Sequence, residues 1–134
     1  MTKLTTVEGI AEIQAQKLVD AGINTAEALL QQGKTRRGRQ TIADRTGISR
    51  KLVLKWVNRV DLFRVKGIGE EYADLLEAAG VDTVPELAQR NAENLYQKVR
   101  EVNEEKRLVR RLPSLADVGQ WIGQAKDLPR VIDY

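Results

Sequence analysis

The side chains best suited to acid–base and covalent chemistry are missing, because the 134-residue chain contains neither histidine nor cysteine. That removes the commonest general base, the commonest metal ligands, and every thiolate nucleophile and disulfide. Carboxylates are plentiful, 19 in all, yet they accompany no glycine-rich phosphate loop, no metal-ligand spacing and no nucleophile paired with a base. An enzyme is therefore not expected, and neither is a metal or a cofactor. The chemistry that remains is electrostatic. Lys34 to Arg59 holds nine basic side chains against Asp44 alone, +8 within 26 residues. Cut after Leu62, the chain carries +5 in its first part and −2 in its second, an asymmetry hidden in the overall +3. A basic stretch of this density is the footprint expected of a surface that meets phosphates or an acidic partner.

Helical geometry organises these cations. At 100° per residue Lys51, Lys55 and Arg59 cover an arc of about 80° beside the apolar arc of Leu52, Val53, Trp56, Val57 and Val60. This predicts a cationic stripe on one exposed face, with Arg36, Arg37, Arg39, Arg45 and Arg50 close to it in sequence. Gln40 to Arg59 also fits a helix-turn-helix template, although that spacing serves any two helices joined by a short glycine turn. Trp56 and Trp121 stand among apolar neighbours and read as core. With six aromatic residues in the chain, little argues for stacking of single-stranded bases.

The elements that must position the cations come in two similar sets. Val7-Glu8-Gly9-Ile10-Ala11 recurs as Val65-Lys66-Gly67-Ile68-Gly69. At the same offset of 58 residues, Ala21-Gly22-Ile23 answers Ala79-Gly80-Val81, and Thr25 answers Thr83. After a small insertion, Val53, Trp56 and Val57 are matched by Val118, Trp121 and Ile122. The stripe positions fall on Ala116, Gln120 and Gln124, so the second copy keeps the core and drops the charge. Apolar spacing predicts helices that stop at Gly22 and Gly80, with Ile13, Leu18 and Val19 on the apolar face of the first. Thr25 and Thr83 are expected N-caps, and Thr83-Val84-Pro85-Glu86 and Ser114-Leu115-Ala116-Asp117 expected capping boxes. Further helices are expected over 40–46, from Ser49, over 91–103 and over 114–128. No segment alternates with period two long enough to be a strand. The expected class is all-α, two tandem repeats packed as one compact body, 1–62 basic and 63–134 acidic with a C-terminal tail.

A glycine turn between helices leaves the first backbone N–H groups of the following helix unpaired and aimed outward, where an anionic oxygen fits. Val65-Lys66-Gly67-Ile68-Gly69, with Tyr72-Ala73 and Leu76, resembles the hydrophobic-Gly-hydrophobic-Gly core of the helix-hairpin-helix, which grips the DNA backbone without reading sequence. The first copy has Ala11 in place of the second glycine. In the second copy Glu70 and Glu71 follow directly, and their carboxylates would repel a phosphate.

From Val7 to Leu128 the chain also resembles a bacterial family known as domain of unknown function 4332. The likeness rests on the two Gly-Ile turns with Ala21-Gly22-Ile23, Thr46-Gly47-Ile48-Ser49 with Trp56-Val57, and Lys66-Gly67-Ile68-Gly69 with Leu76. It extends through Ala79-Gly80-Val81-Asp82-Thr83, Leu87, Arg110-Arg111-Leu112-Pro113 and Trp121-Ile122. The resemblance implies a tandem helix-hairpin-helix fold and transfers no activity.

Two roles are compatible with these residues. The first is a non-enzymatic module that holds double-stranded DNA by its phosphates through Arg36, Arg37, Arg39, Arg50, Lys51, Lys55 and Arg59, with Lys66, Gly67 and Gly69 at the second turn. The second is an adaptor whose basic first repeat docks an acidic protein partner. No run reaches the 18 apolar residues of a membrane span and no secretion signal opens the sequence, so a soluble cytoplasmic protein is expected.

Overall fold

Each glycine turn is followed by a helix that ends in the same way. The computed structural model describes residues 2–134. A 3-10 turn, Leu4–Thr6, precedes α1 (Glu12–Asp20), α2 (Ala26–Gly33), α3 (Arg36–Thr46) and α4 (Arg50–Leu62). Then come α5 (Glu70–Ala78), α6 (Val84–Ala88), α7 (Ala92–Lys106) and α8 (Leu115–Asp127). No strand occurs among the described residues, so the class is all-α. No helix is long and apolar enough to cross a membrane among the described residues.

The ends of α1 and α5 are closed by paired bonds that return to the last turn. Ile23 N–H donates to Leu18 C=O at 2.8 Å and Gly22 N–H to Val19 C=O at 2.9 Å. In the second set Val81 donates to Leu76 at 2.8 Å and Gly80 to Glu77 at 3.0 Å. Both glycines are left-handed, with φ of +89° and +93°, and the paired bonds are those of a Schellman stop. Thr25 Oγ1 accepts from Ala28 N–H and Thr83 Oγ1 from Glu86 N–H, each at 3.1 Å. Ser114 and Asp117 complete a capping box, with reciprocal bonds of 3.0 Å. The box expected at Thr83 is only half made, because the Glu86 carboxylate accepts from the Thr83 hydroxyl rather than from its N–H.

Two compact units emerge. The first runs to Asp61 and takes in Arg130–Tyr134; the second is Leu62–Pro129. In the first unit α3 packs on α1 and α2. The expectation for α1 fails there: Leu18 is its sole buried residue, whereas Ile13 is 71% exposed and Val19 is exposed too. Helical spacing identified the apolar positions, but a nine-residue helix at the edge of a small unit covers only one of them. In the second unit α8 packs on α6 and α7, and α5 on α7. Its core gathers Leu75, Leu76, Val81, Leu87, Leu95, Val99, Val118 and Trp121.

The last residues form part of the first unit's structure. Asp133 N–H donates to Lys34 C=O at 2.7 Å, and Tyr134 Oη donates to Asn58 Oδ1 at 2.7 Å. Ile132 is buried. Residues 130–134 therefore group with the unit that begins the chain, not with the acidic part to which sequence order assigned them.

Candidate anion-binding face

The basic stretch starts on a helix four residues earlier than the sequence suggested. Thr35 Oγ1 accepts from Gly38 N–H at 3.0 Å, so α3 begins at Arg36 and places Arg36, Arg37 and Arg39 on its first turn and a half. The helix can begin there because residue 38 is glycine: a Cβ at that position would lie 1.9 Å from the Gln32 carbonyl oxygen. At its other end, left-handed Gly47 closes α3, and Ser49 Oγ caps α4 through Leu52 N–H at 3.1 Å.

Two of the expected phosphate contacts are corrected by burial. Arg39 is 3% exposed; its guanidinium donates to Gly33 C=O at 2.9 Å and to Asp133 C=O at 2.7 Å. It ties the end of α2 to the C-terminal segment, and burial lowers its pKa from the ordinary arginine value, partly offset by the charge of the Tyr134 and Asp133 groups. Arg59 is 4% exposed. The stripe assumed that α4 keeps one solvent face along its whole length, but from Trp56 to Leu62 every residue of α4 is buried. A helix hydrophobic on one arc can still be enclosed on all sides where neighbours surround it.

The remaining cations stay outside. Arg36, Arg37, Arg50, Lys51 and Lys55 are exposed. Arg36, Arg50 and Lys51 line a groove of about 500 Å³ with Leu54 and Tyr134, and the buried Arg39 closes its back. Arg36 Nε donates to the Tyr134 carbonyl oxygen. Among the described residues Arg37, Arg50 and Lys51 have neither a hydrogen-bond nor an ion-pair partner for their side chains. The one acid of the stretch, Asp44, accepts instead from Gln40 Nε2 at 2.8 Å. Unneutralised cations repel one another, so their clustering costs stability unless an anion meets them.

The second glycine turn is built for packing. Gly67 has φ +97°, and a Cβ there would stand 2.9 Å from Trp121 Nε1. Gly9 in the first unit repeats the arrangement, φ +92° with Trp56 Nε1 3.2 Å from the Cβ position. In both, the missing side chain leaves room for an indole edge, and the positive φ suits glycine alone. Gly69 differs: it is extended at φ −102°, and a Cβ would meet nothing within 4 Å. Ala11 fills the same N-cap role at φ −84°. Lys66 is exposed, but its backbone is occupied, since Gln124 Oε1 accepts from its N–H at 2.8 Å and Gln124 Nε2 donates to its C=O at 3.1 Å. Glu70 and Glu71 on the first turn of α5 already complement the positive end of that helix.

Sequence reasoning missed Tyr134 and Leu54 as groove walls. Nothing local signals that residue 134 returns to α3 and α4; the nearest clue is the isolated apolar pair Val131-Ile132 after Pro129. No curated protein and no solved structure matches the chain. A family described as a domain of unknown function, DUF4332, matches residues 8–128, and since this spans most of the sequence, the chain belongs to that family.

Proposed function

We propose that the chain is a non-enzymatic binding module that holds duplex DNA by its phosphate backbone, with a tandem helix-hairpin-helix-like architecture as its frame. The observation that carries this reading is the groove where Arg36, Arg50 and Lys51 meet, with no side-chain partner for Arg50 or Lys51 among the described residues. Arg37 and Lys55, exposed on the same two helices, extend the cationic surface. The architecture is supported by the matching geometry of Gly9 against Trp56 and Gly67 against Trp121 and by the matching ends of α1 and α5. Contact through phosphates alone reads no sequence. Titration of random-sequence duplexes at low salt should give binding that differs little from one sequence to another. Absence of any shift at about 50 mM salt would remove the reading.

The adaptor reading draws on a different observation, the exposed Ile13 and Val19 of α1, which suit a protein partner better than a polyanion. A stoichiometric acidic protein retained after nuclease treatment, with no duplex binding in the titration, would establish it in place of the first.

A further inference from the structure

Helix α3 has a second basic flank, of which the duplex reading uses Arg37 alone. A cleft of about 340 Å³ lies between the turn after α1 (Ala21, Ile23), the end of α2 (Gln32) and α3 itself, where Arg37, Thr41 and Arg45 line it. The volume falls within the range of small-molecule sites. Gly38 keeps α3 against Gln32, so this wall of the cleft is fixed by backbone contact.

The two arginines share the cleft but leave the helix eight residues apart, two turns or about 12 Å along its axis. Both are exposed, and among the described residues neither guanidinium has a partner. One anion cannot sit at the base of both; two anionic groups at opposite ends of one molecule can. A guanidinium fork matches the oxygens of a phosphate better than an isolated point charge would.

Between the arginines the wall is neutral and hydrogen-bonding. Thr41 Oγ1 donates its proton to Arg37 C=O at 3.0 Å, leaving lone pairs that accept from a ligand hydroxyl. Thr35 Oγ1 accepts from Gly38 N–H and keeps its own proton to donate. The Gln32 amide can do both. The apolar residues behind, Ile23 and Ile42, are only 1% and 2% exposed, which leaves no aliphatic platform for a nucleobase. We infer that this cleft binds a small polyol carrying a phosphate at each end, a sugar bisphosphate, with one phosphate on Arg37 and the other on Arg45. This goes beyond duplex binding and does not depend on it.

Isothermal titration calorimetry with fructose 1,6-bisphosphate, fructose 6-phosphate and inorganic phosphate tests the assignment. The bisphosphate should bind one per chain with a Kd below about 1 mM, and at least about tenfold more tightly than either single-phosphate probe. Arg45→Gln should erase that preference, while Lys51→Gln, on the other flank, should leave it in place. Both positions are exposed, and circular dichroism of each variant should match the parent. Equal affinity for all three probes, a preference that survives Arg45→Gln in the folded variant, or no saturable binding would each overturn it. Duplex titrations on the Arg45→Gln and Lys51→Gln samples report separately, because Arg45 lines the cleft alone and Lys51 the groove alone.

Discussion

The first and second units place different residues at positions that the sequence pairs, and the difference separates what holds the fold from what is free to bind. Arg59 and Gln124 occupy paired positions on α4 and α8, and neither faces solvent freely: Arg59 is buried, and Gln124 clasps the backbone of Lys66. Lys51 and Lys55 are paired with Ala116 and Gln120, and all four are exposed. At the inward position both units keep a polar side chain that can hydrogen-bond. At the outward positions only the first unit keeps charge. A polar side chain kept at the inward position of both units marks structure, and exposed charge present in one unit alone marks the candidate interface.

The largest expected effect tests the outward positions. Reversing Arg50 and Lys51 together to glutamate should weaken duplex binding by roughly 100-fold at low salt in fluorescence anisotropy. Because both are exposed and neither has a partner among the described residues, the urea midpoint should move little. Next come the inward residues. Arg39→Met leaves the Gly33 and Asp133 carbonyls without their donor and should cost about 1–3 kcal/mol of unfolding free energy in urea, whereas Lys51→Met should stay within about 0.5 kcal/mol. An equal cost at both sites would dissolve the distinction between buried and exposed cations.

The glycine turns offer a parallel contrast. Gly67→Ala meets both positive φ and the indole of Trp121 and should lose about 1–3 kcal/mol. Gly69→Ala should be near neutral, since Ala11 already serves the matching place. A large loss of duplex binding in Gly69→Ala with stability intact would restore the second turn as a phosphate site.

The smallest effect is a pH dependence. The Ser114 N–H and hydroxyl bonds hold the Asp117 carboxyl below its usual range. A carboxylate with a depressed folded pKa adds stability above its unfolded pKa, and this is lost as pH falls through the folded value. Removing the carboxylate by Asp117→Ala should therefore lower thermal stability at pH 7 and make less difference in strongly acidic solution. Glu86 behaves oppositely: its hydrogen bond with Asp82, then burial and the Asp82 charge, raise its pKa. Asp82→Asn should bring the Glu86 titration, followed by NMR, back down.

Most of the helical frame was legible because its signals are local. Gly22, Gly80, Thr25, Thr83 and Ser114 act through bonds to residues within five positions, which a sequence displays directly. The helical start at Arg36 was hidden because Thr35 follows Gly33-Lys34 without an apolar rhythm to announce it. The candidate site was legible only in its charge. Which arginines stay outside depends on long-range closure: Arg39 is buried by a segment 94 residues away, and Arg59 by the enclosure of the second half of α4.

The salt dependence of duplex affinity tests the central claim most directly. With about four or five phosphates met by Arg36, Arg37, Arg50, Lys51 and Lys55, the plot of log K against log salt should fall with a slope of about −3.5 to −4.5. Replacing Arg50 and Lys51 by glutamine should reduce that slope in magnitude by about 1.8. A slope unchanged by the double substitution would contradict the assignment of the groove as the phosphate-binding site.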